Sequence, residues 1–248
     1  MIPTQKQALT SIRNLFNAPV YYYARTTSTL QNARECIADG CPDGTFIYAG
    51  FQTEGRGRIS GRQWLSPAGE NLLGTLILRR PASTDFTLRI GLAVSMTLDL
   101  FLPPAVRTAV KWPNDIFING KKIAGILCES AGGCVLAGVG INVLQTDFLR
   151  SIEHTATSLA GAIGAGKCPS FEVLIPALLE QIQNCLCRSD WHEEITRRLW
   201  KRGTPVRFMR GQQETDIVEG ILTGIAPDGA LCITDSGHEY RYYSGELI

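Results

Sequence analysis

The stretch that decides the fold is residues 106–143, VRTAVKWPNDIFINGKKIAGILCESAGGCVLAGVGINV. Its apolar and β-branched residues recur in short runs, and this pattern predicts four consecutive strands, at 106–112, 116–118, 123–129 and 135–143. Between the second and third strands, Asn119 and Gly120 supply the two positive-φ residues that a tight hairpin turn needs. Strands joined by such short turns must be antiparallel neighbours, so this stretch predicts a sheet.

The segments before and after this sheet alternate between strand and helix patterns. Short apolar runs predict further strands at 19–23, 45–51 and 72–79. Apolar residues at helical spacing predict helices at 29–39, 85–102, 171–187 and 190–201. Ser28 or Thr29 caps the first helix, and Gly40 stands where a C-terminal glycine belongs. We therefore expect an α+β fold with a mixed, largely antiparallel sheet and helices packed on it.

The pattern changes near Arg202-Gly203 to short strands separated by turn residues. A segment of this kind predicts a small barrel-like β module, which at this size needs support from the main domain. We therefore expect two domains, at 1–202 and 203–248.

The composition excludes several classes of protein. The 248 residues carry 24 Lys and Arg against 23 Asp and Glu, so the net charge of +1 gives no global field that would attract DNA or an acidic membrane. The longest uncharged run, 130–146, is broken by four glycines, unlike a membrane helix. The eight cysteines form no CxxC pair, and none of the three histidines lies within four residues of a cysteine, which predicts reduced thiols and no metal site. We expect a cytoplasmic protein.

The densest polar segment is 52–67, in which Gly and Arg alternate at Arg56, Gly57 and Arg58. Arginine forks bind phosphate or carboxylate oxygens bidentately, and a glycine backbone lets a ligand approach closely. The segment at 52–67, which we call the arginine loop, therefore predicts an anion-binding site. A solvated loop or a fragment of an RNA-binding tract would have the same composition.

A second cluster, KWPND at 111–115, places Lys111 at a strand end before a Pro-Asn-Asp turn. A fixed lysine beside the arginine loop could neutralise a carboxylate and a phosphate as an acyl phosphate forms. An exposed lysine with an Asx turn is the simpler interpretation of this motif alone.

Two further segments contain groups that suit a polar ligand. Gly138, Gly140 and Asn142 end an apolar strand, where a flat ligand could lie against the backbone. Ser28 and Thr29 offer hydroxyls and free N–H groups at a helix start, which helix capping alone would also explain. The sequence contains neither G-x-S-x-G nor H-E-x-x-H, so a catalytic triad or a zinc hydrolase is not expected.

Taken in order, GRGR at 55–58, the W-x-SP at 64–67, KWPND, the KIAGILCE at 122–129 and GVGIN at 138–142 resemble the catalytic domain of biotin–protein ligases. The resemblance spans about residues 20–165, and the β module resembles the SH3-like C-terminal domain of that family. It implies a ligase that uses Mg²⁺ and ATP to form biotinoyl-5′-AMP. The biotin then passes to a lysine of a carboxylase biotin-carrier domain.

The resemblance also implies a role for each matching residue. Lys111 and Arg58 would be catalytic, with Arg58 at the carboxyl-phosphate junction and Asn142 at the nucleotide. Biotin would contact the helix start, the arginine loop, the lysine and two strand glycines: Ser28, Thr29, Gln52, Arg56, Gly57, Arg58, Lys111, Gly125 and Gly138.

The sequence departs from the family pattern at two places. Leu30 stands where the family has Asn after Ser-Thr, and the loop between Arg58 and Trp64 is one residue longer, which leaves the role of Arg62 open. Fewer than twenty residues precede the first strand, so no DNA-binding head is expected. The oligomeric expectation is a monomer or a weak homodimer. The alternatives are a lipoate-type adenylating ligase, a biotin sensor without turnover, and an RNA-binding protein.

Overall fold

The computed structural model describes residues 6–59, 61–211 and 216–248. Within those ranges, eight strands form one sheet in the order β1-β2-β3-β4-β8-β7-β6-β5. The strands are β1 (Gln7–Ala8), β2 (Val20–Tyr23), β3 (Phe46–Ala49), β4 (Asn71–Leu78), β5 (Thr108–Lys111), β6 (Asp115–Ile118), β7 (Lys121–Ala131) and β8 (Cys134–Asn142). All neighbouring strands are antiparallel except β2 and β3, so the prediction of a mixed, largely antiparallel sheet is confirmed.

The predicted hairpins are present in the second half of this sheet. Asn119 and Gly120 have φ values of 49° and 77°, as the turn between β6 and β7 requires. The ladder between β6 and β7 contains a bulge, because Phe117 pairs with Lys122 whereas Ile116 pairs with Ala124. One extra residue, Ile123, therefore interrupts the alternation of β7.

Helices cover both faces of the sheet, since alternate residues along each strand point to opposite sides. The helices are α1 (Thr29–Ala38), α2 (Phe86–Asp99), α3 (Leu159–Ile163), α4 (Phe171–Cys187) and α5 (Trp191–Arg198), with a 3₁₀ turn at Ala165–Lys167. One apolar cluster joins α2, α4 and α5 to the face that carries Phe46 and Ala137. A smaller cluster joins α1 to the face that carries Ile47 and Leu136. Helices on one sheet confirm the α+β class.

The C-terminal segment forms a second sheet of five strands within the described ranges, ordered β12-β11-β10-β9-β13. Its strands are β9 (Pro205–Met209), β10 (Ile217–Ile225), β11 (Leu231–Asp235), β12 (His238–Tyr242) and β13 (Glu246–Leu247). In the part of the chain that is described, β12 and β13 each pair along one edge only, so the sheet is open and the expected closed barrel is not seen.

This module packs directly on the larger sheet. The Trp112 and Phe208 rings lie 5.8 Å apart between centroids, and the Trp112 indole N–H donates to the Gly229 carbonyl at 3.3 Å. Both residues belong to a core cluster that continues from the first sheet into the second. The module therefore rests on the larger sheet, as its small size predicted.

Two further observations on the described residues concern the cysteines and the helices. The eight cysteines are free thiols. No helix in the described ranges has the length and apolar character needed to cross a bilayer.

Candidate active site

Two adjoining openings lie on the α1 side of the first sheet. The small cleft has a volume of about 70 Å³ and lies between α1, β7 and β8. The large cavity has a volume of about 350 Å³ and lies between the arginine loop, the KWPND turn and the segment after β8. Five residues line both openings and so mark their junction: Gly57, Arg58, Trp64, Asn114 and Lys122.

The residues predicted from the sequence divide between these two openings. Lys111 and Asn142 line the large cavity and not the small cleft. Among the other residues, Gly57 and Arg58 line both openings. The small cleft collects Ser28, Thr29, Gln52, Arg56, Gly57, Arg58, Gly125 and Gly138.

The start of α1 is built into the wall of the small cleft. Ser28 is the N-cap residue by its backbone but its side chain makes no capping hydrogen bond. The Thr29 N–H donates to the Gln52 amide oxygen at 2.7 Å, and the Thr29 hydroxyl donates to the same oxygen at 3.0 Å. These bonds fix the Gln52 oxygen, so its amide NH₂ is the group left for a ligand. A polar, uncharged ligand head suits this wall.

The arginine loop is a short hairpin. The Gly57 N–H donates to the Arg62 carbonyl at 2.8 Å and the Trp64 N–H donates to the Gly55 carbonyl at 3.0 Å. A Cβ atom on Gly55 would lie 2.5 Å from the Trp64 carbonyl oxygen, so this glycine is needed for contact within the loop itself. In this structure Gly55 therefore serves packing within the loop rather than close approach of a ligand. Arg56 and Arg58 are exposed at the rim of the openings.

Trp64 lies between the two openings, and its indole packs against β7 and β8. A Cβ atom on Gly125 would lie 2.9 Å from its ring, and one on Gly140 would lie 2.8 Å from it. The strand glycines thus leave room for the indole of Trp64, which takes the position that the sequence assigned to a flat ligand at Gly140. The Trp64 indole nitrogen is buried and finds no hydrogen-bond acceptor among the described residues. A buried donor of this kind can be satisfied by a ligand oxygen.

Leu30, the departure from the family pattern, lines the small cleft beside Gly138. A Cβ atom on Gly138 would lie 3.5 Å from the Leu30 side chain and 3.0 Å from the Leu127 carbonyl oxygen. This part of the cleft wall is therefore apolar and closely packed.

The KWPND residues connect β5 to β6 at the mouth of the large cavity. The Asn114 amide donates to the Ile126 carbonyl at 3.0 Å, and the Ile126 N–H donates to the Asn114 carbonyl at 2.9 Å. Asn114 thus holds the turn against β7. Lys111 is half-buried, and this burial lowers the pKa of its ammonium, while the Asp115 and Glu246 carboxylates act in the opposite direction.

Lys122 is a site residue for which the sequence interpretation gave no role. Its ammonium lies 2.7 Å from the Asp115 carboxylate and lines both openings. On a regular strand Lys122 and Gly125 would face opposite sides, but the bulge at Ile123 brings them to the same side. A Cβ atom on Gly125 would lie 3.3 Å from the Lys122 nitrogen. The feature of the sequence that could have pointed to Lys122 is its position in the KIAGILCE motif.

Asn142 ends β8 at the large cavity and is buried. It lies on the same strand face as Gly138 and Gly140 because these residues are two apart. Its amide NH₂ donates to the Thr157 carbonyl at 2.9 Å. The amide oxygen is thereby oriented as the acceptor that a nucleotide could use.

The C-terminal module contributes to the rim of the large cavity. The Arg58 guanidinium donates to the Gly245 carbonyl at 3.2 Å, and the Arg62 guanidinium lies 3.2 Å from the Glu246 carboxylate. Arginines of the loop therefore contact the end of the second sheet. A site with one polar cleft, one larger cavity and cations between them is typical of an enzyme that brings an anionic nucleotide to a second substrate.

Comparison with known proteins agrees with this class. Residues 22–145 match the model of the biotin/lipoate A/B protein ligase family, and residues 203–247 match the biotin protein ligase C-terminal domain. The chain is 34% identical over 230 residues to a biotin–[acetyl-CoA-carboxylase] ligase of Paracoccus denitrificans, covering 85% of this chain and 92% of that protein. It is 39% identical over 152 residues to the bifunctional ligase/repressor BirA of Bacillus subtilis, covering 58% of this chain and 46% of that protein.

A solved structure shows the same architecture. The biotin protein ligase of Aquifex aeolicus in complex with biotin and ATP superposes with a TM-score of 0.80 at 26% identity, covering 92% of this chain and 97% of that chain. The chain belongs to the biotin/lipoate A/B protein ligase family, as its motifs indicated.

Proposed function

We propose that this chain is a biotin–protein ligase that acts in two steps. A biotin carboxylate oxygen first attacks the α-phosphorus of ATP, which forms biotinoyl-5′-AMP and releases pyrophosphate. The ε-amine of a carrier-domain lysine then attacks the acyl carbon, which forms an amide and releases AMP. The observation that carries this proposal is the junction of the two openings, where Arg58, Trp64 and Lys122 face both.

The small cleft is the proposed biotin site. Biotin has an uncharged polar ring head, which matches the hydroxyls of Ser28 and Thr29 and the free NH₂ of Gln52. Its apolar chain would run past Gly138 toward the junction. The cleft is small because the Trp64 indole rests on Gly125 and Gly140. A shift of the arginine loop would admit the ligand, after which the loop would close over it.

The large cavity is the proposed nucleotide site. It is five times larger than the small cleft, at about 350 Å³ against about 70 Å³, and it combines charged and apolar walls. Lys111 and Arg58 would face the phosphates, and the buried Asn142 would accept a hydrogen bond from the nucleotide. Phe148 and Ile152 would cover the base with apolar surface.

The cations at the junction would make the first step possible. The biotin carboxylate and the α-phosphate are both anionic and repel each other as they approach. Lys122 lies between the two sites, so it is placed to neutralise both groups in a partly desolvated position, where charge is poorly screened. Lys111 would act from the phosphate side and Arg58 would hold the anhydride that forms. This assigns to Lys122 part of the role that the sequence predicted for Lys111.

Further parts of the reaction also belong to this proposal. Mg²⁺ would enter with ATP, since it prefers carboxylate and phosphate oxygens, and Asp115 and Glu246 place carboxylates at the large cavity. When bound, the ion supplies positive charge to the phosphates. The acceptor would be the biotin-carrier domain of a carboxylase. We assign residues 1–202 to the ligase domain and 203–248 to an SH3-like domain, and the free thiols support a cytoplasmic location.

The decisive experiment is biotin-dependent exchange of labelled pyrophosphate into ATP. We expect exchange with biotin, none without it, and no competition by lipoate. Incubation with a carrier domain should then biotinylate one lysine, detected with streptavidin and by mass spectrometry. Saturable biotin binding without exchange would identify a sensor instead, and exchange driven by lipoate would identify a lipoate-type ligase.

A further inference from the structure

Two aromatic rings lie beside the ammonium group of Lys111. The Lys111 nitrogen lies 5.6 Å from the centre of the Phe117 ring and 5.4 Å from the centre of the Trp200 ring. The two rings contact each other, with centroids 5.2 Å apart and planes inclined by 52°. Both distances to the ammonium lie within the range of a cation–π interaction. We call Phe117 and Trp200 the aromatic clamp.

Trp200 is held beside Lys111 by the backbone. Leu199 and Val110 form a parallel bridge, and the Trp200 N–H donates to the Val110 carbonyl at 2.9 Å. Trp200 is therefore tied to the residue that precedes Lys111. The segment leads from α5 into β9, so the clamp joins the end of the last helix to the strand that carries the lysine.

Lys111 lies near two carboxylates, and in the part of the chain that the structure describes it is paired with neither of them. Among the described side chains Lys111 forms no ion pair, whereas the neighbouring Lys122 contacts Asp115 at 2.7 Å. The charged groups that surround Lys111 come from four elements: Asp115 on β6, Lys122 on β7, Lys201 after α5 and Glu246 on β13. Lys201 lies over the Trp200 ring, 4.4 Å from its centre. The charge of Lys111 thus remains available to a phosphate.

We propose that Trp200 is a positioning residue for the nucleotide step. With Phe117, it holds the Lys111 ammonium at the wall of the large cavity, where the ammonium is bound to no carboxylate of the described residues and can face the phosphates of ATP. This inference rests on the proposed function of the large cavity. Trp200 contacts neither substrate in this scheme, and its whole effect passes through Lys111.

The first test compares Trp200→Leu with Trp200→Phe in pyrophosphate exchange. Loss of one cation–π contact should raise the KM for ATP by roughly three- to tenfold in Trp200→Leu, while the dissociation constant for biotin stays unchanged. Trp200→Phe keeps an aromatic face and should restore most of the affinity for ATP. The matched control is Tyr240→Leu, which removes an exposed aromatic residue on β12. This variant should behave as the wild type. Equal ATP affinities in Trp200→Leu and the wild type would overturn the proposal.

A double-mutant cycle with Lys111→Met separates positioning from a general structural effect. In the Lys111→Met background, Trp200→Leu should have no further effect on the KM for ATP, because the residue through which it acts is gone. The same increase in both backgrounds would show that Trp200 acts by another route.

A chemical measurement tests the clamp without turnover. Reductive methylation of Lys111, followed by mass spectrometry, should be faster in Trp200→Leu than in the wild type, because the ring shields the amine. Unchanged labelling would overturn the clamp whether or not the enzyme is active. Absence of biotin-dependent exchange in the wild type would instead refute the proposed function, and the labelling result would still decide the clamp.

Discussion

The Lys122 ammonium contacts the Asp115 carboxylate at 2.7 Å, at the junction of the small cleft and the large cavity. Lys122 also lies 5.6 Å from the centre of the Trp64 ring. The ion pair and the ring fix the ammonium where a carboxylate from one opening and a phosphate from the other would meet. Lys122 is therefore a stronger candidate than Lys111 for neutralising both groups together.

Lys122→Met should lower biotin-dependent pyrophosphate exchange by on the order of 10²-fold, because it removes a preorganised charge from the transition state. Lys121→Met is the matched control, since Lys121 is the adjacent residue and lines neither opening. The control should retain exchange within about twofold, as expected for a substitution away from the reacting groups. Similar losses in both variants would remove Lys122 from the assigned role.

The sheet was predictable because its signals are local. Asn119-Gly120 has the positive φ values of a tight turn, and the alternation along β8 places Gly138, Gly140 and Asn142 on one face. The bounds of α4, at Phe171–Cys187, agree with the predicted helix. These features depend on residues that are close in sequence, so the pattern of apolar and turn residues is enough to predict them.

The structural features that the sequence did not predict depend on contacts between residues that are far apart in the chain. The bulge at Ile123 reverses the side on which Lys122 lies, and alternation alone would place that lysine away from Gly125. Strands β1 and β13 have two residues each, too few for a periodic pattern. The contact between Trp64 and Gly140 joins a loop to a strand 76 positions later, so the sequence could show the space at the glycine but not which group fills it.

Gly140→Ala should disturb the site more than the fold. The added Cβ would lie 2.8 Å from the Trp64 ring, so the indole must move out of its place at the junction. Overpacking of this kind costs about 1–3 kcal/mol in the free energy of unfolding, and here a movable loop can relieve part of it. We expect a weaker affinity for biotin in calorimetry and a small decrease in Tm. Gly166→Ala, where a Cβ atom would meet open space, is the control and should leave both unchanged.

The affinity for ATP should fall at alkaline pH before an ordinary lysine would lose its proton. Burial lowers the pKa of Lys111 below its usual value of 10.5, so its positive charge disappears as the pH rises through the lowered value. As the pH is increased, the KM for ATP of the wild type should therefore begin to rise before the pH reaches 10.5. Arginine stays charged in this range, so Lys111→Arg should flatten that limb. An identical pH profile in the two proteins would contradict this role of Lys111.

The same shift predicts how stability responds to pH. Between the lowered pKa and the usual one, the unfolded chain binds more protons at Lys111 than the folded chain does. The free energy of unfolding therefore rises with pH in this interval relative to that of Lys111→Met. Urea unfolding at several alkaline pH values measures the difference, and a difference that falls with pH would contradict the burial effect.

Arg58→Gly should release the adenylate faster while changing the affinity for biotin less. Only the intermediate and the nucleotide carry a phosphate that the guanidinium fork can hold, and Arg58 lies at the junction where that phosphate would sit. Dissociation of preformed biotinoyl-5′-AMP and equilibrium binding of biotin would be measured side by side. Arg58→Lys keeps the charge but not the fork, so it should give an intermediate rate. Equal losses for biotin and the adenylate would refute the assignment.

Glu246→Gln tests whether the C-terminal module holds the arginine loop closed. Its contact with Arg62 at 3.2 Å involves an exposed guanidinium, and such pairs contribute at most about 1 kcal/mol, so Tm should hardly change. The adenylate should dissociate about two- to fivefold faster, because the loop loses one anchor on the second sheet. Arg62→Gln should have the same effect, and the double variant should add nothing further. If Glu246→Gln still accelerates dissociation in the Arg62→Gln background, Glu246 acts on the nucleotide and its ion rather than on the loop.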